Sequence, residues 1–301
     1  MKIVAVINQK GGVGKTTTVI NVGAALANLG KKVLLVDLDP QGNLSSGLDV
    51  TPEQIEEKNA YFALVGEGSL AANSVATKVE NLFVVPSDSN LAGAEVELVD
   101  VERREYRLKE SVQNDLAGFD YIFIDCPPSL GLLTLNALTA ANSYLIPMQS
   151  EFFAMQGLTN IMKTANLVKQ ALNPGLQEEG VLLTMFDSRS NLSRQVYQEI
   201  KDFVGEKLFE AVIPRRVRLA ESTSHGIPGV IYDPACMGSR SYVEVAKEFL
   251  TRTEGKAFVP AQGATSAKTV FLPPDPVDRL QRQQQAQVSQ LDPTFNRTEE
   301  A

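Results

Sequence analysis

The run Gln9, Lys10, Gly11, Gly12, Val13, Gly14, Lys15, Thr16, Thr17 constrains this chain more than any other feature of its sequence. It follows the apolar stretch Ile3 to Ile7 and precedes Val19, Val22, Leu26 and Leu29, spaced three or four apart and closed by Gly30. Strand, glycine loop, helix is the setting that a phosphate-binding loop requires. Glycines let backbone N–H groups face phosphate oxygens with no Cβ in the way, and the start of the helix adds about half a positive charge. Lys15 is placed to bridge the β- and γ-phosphates of a nucleotide, and the Thr16 hydroxyl to complete the coordination of Mg²⁺.

The loop departs from the GxxxxGK[ST] pattern in two ways. Gln9 stands where the first glycine belongs, and Lys10 adds a second cation. Two lysines this close repel unless a polyanion lies between them, and Lys15 already serves the nucleotide bound by the loop. Lys10 is therefore expected to serve a second nucleotide.

Further apolar, β-branched runs recur at 33–37, 82–86, 121–125, 144–147 and 181–185, with helical patterns between them. Near-continuous apolar strands suit a parallel sheet buried on both faces. The expectation is an α/β fold with a doubly wound, mostly parallel sheet, helices on both faces, and ligands at the carboxyl ends of the strands. With 44% hydrophobic and 21% charged residues, the chain can build a large core and a soluble surface. No apolar run is long enough to span a bilayer, and residues 1–7 turn polar too soon for a signal peptide, so a cytoplasmic protein is expected. After about Thr253 the composition shifts to Gly, Pro, Gln, Ser and Thr. Residues 1–253 are expected to form the globular unit, and 254–301 a disordered tail with a short helix around 279–288. Cys126 and Cys236 have neither metal nor disulfide spacing and read as buried packing residues. A net charge of −8 restricts any nucleic-acid contact to a local patch.

Two strands end in acid. Asp37 and Asp39 close the first after the loop helix, and Asp125 closes Tyr121 to Ile124, where a doubly wound sheet presents its ligand. Asp39 is the candidate for orienting an attacking water. Asp37 is equally a cap for the turn before Pro40.

These features together resemble the deviant Walker, or ParA/MinD, group of P-loop ATPases over about residues 1–250: the loop KGGVGKT at 10–16, DxDPQGN at Asp37, an acid-ended strand at Asp125 followed by Cys126, Pro127 and Pro128, and PxQxExxAxxG at Pro147 to Gly157. The resemblance implies ATP and Mg²⁺ as ligands. It also implies a homodimer that sandwiches two ATP molecules, with Lys10 reaching the nucleotide of the other subunit. Asp39 would then position water, Asp125 would hold a Mg²⁺-bound water, Glu151 would contact the lysine or ribose of the sandwich, and Pro214 would border adenine.

Within that group, the segment from Pro214 to Gly226 resembles PRxVRLxExxSHG of ParA-type partition ATPases. The resemblance implies non-specific DNA binding through Arg218, with Arg215 and Arg216 beside it, by the ATP-bound dimer. It further implies stimulation by a ParB-type centromere-binding partner and a nucleoid-associated location. Lys201 and Lys207 read equally as a solvated helix face laced with acids. The chain begins at its first strand, so a repressor-type N-terminal extension and sequence-specific DNA binding are not expected. The rival reading is a MinD-like or other cargo-positioning ATPase that does not use DNA. Its amphipathic membrane helix has no counterpart in the sparse apolar residues Val277, Leu280, Val288 and Leu291, so no stable membrane association is expected. A nitrogenase-iron-protein reading fails for want of paired cluster cysteines. His225, the lone histidine, reads as a turn residue, because phosphoryl transfer by positioning and Mg²⁺ needs no histidine base.

Overall fold

The computed structural model describes residues 1–112 and 118–255. Residues 256–301, which hold almost all of the expected tail and its short helix, lie outside the described residues.

Seven strands form one sheet: β1 (Lys2–Val6), β2 (Val33–Asp37), β3 (Val75–Ala76), β4 (Leu82–Val85), β5 (Tyr121–Asp125), β6 (Ser143–Gln149) and β7 (Gln177–Thr184). Their order is β3-β4-β2-β5-β1-β6-β7. Every pairing is parallel except that of β3, a two-residue antiparallel edge the sequence does not announce. The helices are α1 (Lys15–Asn28), α2 (Asn43–Ser46), α3 (Pro52–Glu57), α4 (Ala60–Val65), α5 (Leu91–Glu97), α6 (Arg107–Val112), α7 (Leu132–Ala140), α8 (Ala154–Ala171), α9 (Asn191–Val204), α10 (Val217–Ser224), α11 (Gly229–Tyr232) and α12 (Met237–Glu254).

Strand alternation sorts two cores. Ile3 and Ala5 of β1 face a cluster built with α4 to α9, whereas Val4 and Val6 face one built with α1 and α12. The sheet is thus doubly wound, as expected. Helix α1 ends as its sequence suggests: Gly30 adopts φ 83°, its N–H bonds the Ala27 carbonyl at 2.9 Å, and the Lys31 N–H bonds the Leu26 carbonyl at 3.1 Å, closing a Schellman cap. Beyond β7, residues 208–214 run alongside its edge. Phe209 N–H bonds the Val181 carbonyl at 2.9 Å and Ile213 N–H that of Leu183 at 2.8 Å, so this edge is covered.

Cys126 is buried, but Cys236 is only half-buried, which corrects the expectation for it: it is the N-cap of α12, where the backbone turns at the surface. Among the described residues no helix is long and apolar enough to cross a membrane.

Candidate nucleotide site

The loop between β1 and α1 sits at the carboxyl end of β1, an interior strand flanked by β5 and β6. Gly12 and Gly14 take φ of 70° and 88°, the left-handed region in which other residues are strained. A Cβ on Gly11 or Gly12 would meet nothing within 4 Å, so the backbone borders open space. The α1 N-cap, Gly14, supplies no side-chain acceptor and the first turn carries no acid, which leaves the turn's N–H groups free for an external anion.

Four bonds fix this cradle from outside. Asn8 Nδ2 donates to the Pro147 carbonyl at 2.8 Å, and its Oδ1 accepts from the Lys10 N–H at 2.9 Å. Gln149 Nε2 donates to the Gly12 carbonyl at 2.9 Å, and Thr184 Oγ1 to that of Val13 at 2.7 Å. A loop that turns its N–H groups inward turns carbonyls outward, and those need donors. Reading the sequence missed Asn8 and Thr184; the available signal was a polar residue closing each of two apolar strands.

Lys15 is buried, and burial holds its ammonium below the usual lysine range, while Asp125, Cys126 and Asp39 pull it back. In register, Asp125 pairs with Asp37 on β2 and with Val6 on β1. Asp125 is 1% exposed and neither of its oxygens has a hydrogen-bond partner among the described residues. Burial, followed by the nearby Asp37, pushes it up to about 8; the Thr16 hydroxyl, close to the carboxyl but outside hydrogen-bond geometry, and the Lys15 charge pull it down. Orphaned carboxylate oxygens beside a half-buried Thr16 hydroxyl fit a hard divalent cation such as Mg²⁺, which takes oxygen ligands.

Asp37 resolves toward the turn-capping alternative. Its Oδ2 accepts from Ser45 N–H at 2.9 Å and from Ser45 Oγ at 2.7 Å, and its Oδ1 from Asp39 N–H at 3.3 Å. Burial pushes it up to about 6, against those Ser45 bonds. Asp39 Oδ1 accepts from Gln41 N–H at 3.0 Å, and Ser87 Oγ holds the Asp39 carbonyl at 3.0 Å, so the turn that carries this carboxylate is tied at both ends.

At the rim, Lys10 pairs with Glu151 of the same chain, their side chains 59% and 49% exposed. An ion pair this exposed contributes little and exchanges partners easily. The structure therefore gathers Lys10 to Thr17, Asp39, Asp125 and Glu151 about the loop. Pro214 joins through a parallel bridge to Phe186, and Arg215 Nη2 lies 3.8 Å from Met185 Sδ. Arg216 reaches Met237 Sδ at 3.4 Å, and Arg218 reaches Glu221 at 2.9 Å and Asp233 at 3.8 Å, farther out on the surface. His225 stacks on Tyr232 with centroids 5.1 Å apart, at the end of α10. A cleft of about 880 Å³ lies at the opposite, amino ends of β1 and β7 and is lined by charged side chains including Lys2, Glu178 and Arg252. It contains none of the loop's residues.

A family model described as an AAA domain matches residues 1–178. Sporulation initiation inhibitor protein Soj of Bacillus subtilis is 52% identical over 247 residues, 82% of this chain and 97% of its own length. Chromosome partitioning protein ParA of Caulobacter vibrioides is 46% identical over 254 residues, 84% of this chain and 95% of its own. Among solved structures, cobyrinic acid a,c-diamide synthase from Mycobacterium smegmatis with bound ADP and magnesium superposes at TM-score 0.72 and 37% identity, over 86% of this chain and all of that one. On the strength of these matches along most of its length, the chain belongs to the Soj and ParA family of P-loop partition ATPases.

Proposed function

We propose that this protein is the ATP-driven switch of a DNA partition system. ATP binding pairs two subunits into a sandwich that binds DNA without sequence preference on the nucleoid, and hydrolysis, stimulated by a ParB-type partner, releases it. The observation that carries this reading is the short path from cradle to basic surface. Gln149 holds the Gly12 carbonyl at 2.9 Å and approaches Met185 Sδ at 3.2 Å, and the same sulfur lies 3.8 Å from Arg215.

In this reading the N–H groups of residues 11–15 bind the β-phosphate, and Lys15 bridges it to the γ-phosphate. Thr16 would hold Mg²⁺ through its hydroxyl, and Asp125 would hold it through a water. When bound, that ion neutralises charge on the phosphate oxygens. Asp39 orients the attacking water, the Pro127–Pro128 turn behind Asp125 senses the γ-phosphate, and Pro214 borders the adenine. Lys10 leaves Glu151 for the nucleotide of a second subunit, an exchange that costs little because the pair is exposed. ATP shifts the monomer–dimer equilibrium by its differential affinity for the two states, and hydrolysis removes that bias.

Sedimentation with ATP, ADP and no nucleotide tests the switch. Lys10→Ala should bind nucleotide yet stay monomeric with ATP, and Asp39→Ala should remain dimeric on DNA. A normal ATP dimer for Lys10→Ala would remove the cross-subunit role.

A further inference from the structure

The three arginines of the basic segment are not electrostatically equal. Helix α10 buries Leu219 and Ser222 and exposes Val217 and Arg218, and Arg215 and Arg216, just before the helix, are exposed as well. Arg215 touches the Met185 thioether, and Arg216 touches the Met237 thioether and the Arg215 carbonyl. None of these is an anion, and among the described residues neither arginine has a carboxylate within ion-pair reach. Arg218 lies between two. Its Nη1 donates to Glu221 Oε2 at 2.9 Å, one turn along α10, and its Nε lies 3.8 Å from Asp233 Oδ2, just after α11.

The two carboxylates differ in commitment. Asp233 Oδ1 accepts from the Cys236 N–H at 3.1 Å, so Asp233 also anchors the turn into α12. Glu221 bonds only Arg218 among the described residues. A phosphate that approaches Arg218 must either displace these carboxylates or meet their repulsion at a few ångströms, well inside the screening length of about 8 Å at physiological salt. Counting only these groups, three positive and two negative charges leave one net positive charge per subunit.

We infer that Glu221 and Asp233 hold the charge of Arg218 in reserve, as negative determinants that keep the basic segment of one subunit too weak to retain DNA alone. The inference rests on the DNA-binding reading above. It makes Arg215 and Arg216 the first phosphate ligands of the free subunit, and Arg218 joins them only when binding displaces its acids. The weak single patch makes paired subunits necessary, because two linked weak sites bind far more tightly than either one.

The test compares wild type, Glu221→Gln, Arg218→Ala and Arg218→Ala/Glu221→Gln on a long duplex of arbitrary sequence, with ATP and with ADP, across a salt series. Glu221→Gln should tighten binding about 2- to 5-fold, the range for an exposed ion pair. It should also steepen the log–log salt dependence by up to about 0.9 per subunit and narrow the ATP-to-ADP ratio. The gain should vanish in the Arg218→Ala background. Unchanged or weaker binding by Glu221→Gln, or an equal gain with Arg218 absent, overturns the inference. Salt elution from heparin separates this from the DNA reading. If wild type binds no duplex under any nucleotide, the DNA reading fails; later heparin elution of Glu221→Gln that requires Arg218 still upholds the reserve, and unchanged elution sinks it.

Discussion

Asp125 should cost the empty protein stability, and Asp125→Asn should recover it. The side chain closes β5 with 1% exposure, and both oxygens lack a partner among the described residues. A buried acceptor left unsatisfied costs about 1–3 kcal/mol, more when charged. Above its raised value of about 8, at about pH 9, the carboxyl is ionised, and asparagine, of nearly the same shape, removes that charge without opening a cavity. For a domain of this size about 1 kcal/mol moves the thermal midpoint by about 2–4 °C, so at that pH the nucleotide-free variant should melt roughly 2–12 °C above wild type. Saturating MgATP should reverse the order. Ligand at 100 times its dissociation constant stabilises wild type by about 2.7 kcal/mol, a gain the variant forfeits in proportion to its weakened Mg²⁺ site. Thermal unfolding followed by circular dichroism, with and without MgATP, reads both effects. A nucleotide-free midpoint below wild type would refute the reasoning, because it would make Asp125 a satisfied structural carboxylate and not one awaiting a cation.

Thr184→Val removes the donor to the Val13 carbonyl and should lower stability by about 1–3 kcal/mol, with weaker binding in a fluorescent-nucleotide titration. Gly226→Ala should destabilise by at least about 1 kcal/mol: φ is 63°, and the new Cβ would stand 2.5 Å from Asp49 Cβ and 3.0 Å from its backbone. A lowered urea midpoint at unchanged slope checks it. Asp37 predicts a pH dependence. With its pKa pushed up to about 6 from the ordinary aspartate value of 3.8, the folded state holds this proton more tightly than the unfolded chain does. Its contribution to stability therefore falls as pH rises from about 4 to 6 and is level above. Stability measured from pH 4 to 8 should show Asp37→Asn losing that slope relative to wild type.

The sheet was legible because its central strands are continuous apolar runs ended by acid: Val33–Asp37 and Tyr121–Asp125 have the bounds the pattern predicts. Strand β7 begins four residues earlier than its apolar run, since Gln177 and Glu178 pair with Ser143 and Tyr144 at a partly solvated end. Two residues, Val75 and Ala76, are too few to show a period, so β3 was invisible. The phosphate loop could be read because its chemistry is local. Its scaffold could not: Thr184 bonds a carbonyl 171 residues away, and Asp233 reaches Arg218 from another turn. A basic segment likewise displays its arginines in sequence, while the acids that neutralise one of them become evident only in the fold.

The measurement that bears most directly on the central claim is binding of a long, arbitrary-sequence duplex with ATP, ADP and no nucleotide, at two salt concentrations, for wild type and Arg215→Glu/Arg216→Glu. The account predicts binding that needs ATP, weakens with salt and disappears in the double variant. Binding that is absent with ATP, or indifferent to nucleotide, would contradict it and turn the reading toward a positioning ATPase that does not use DNA.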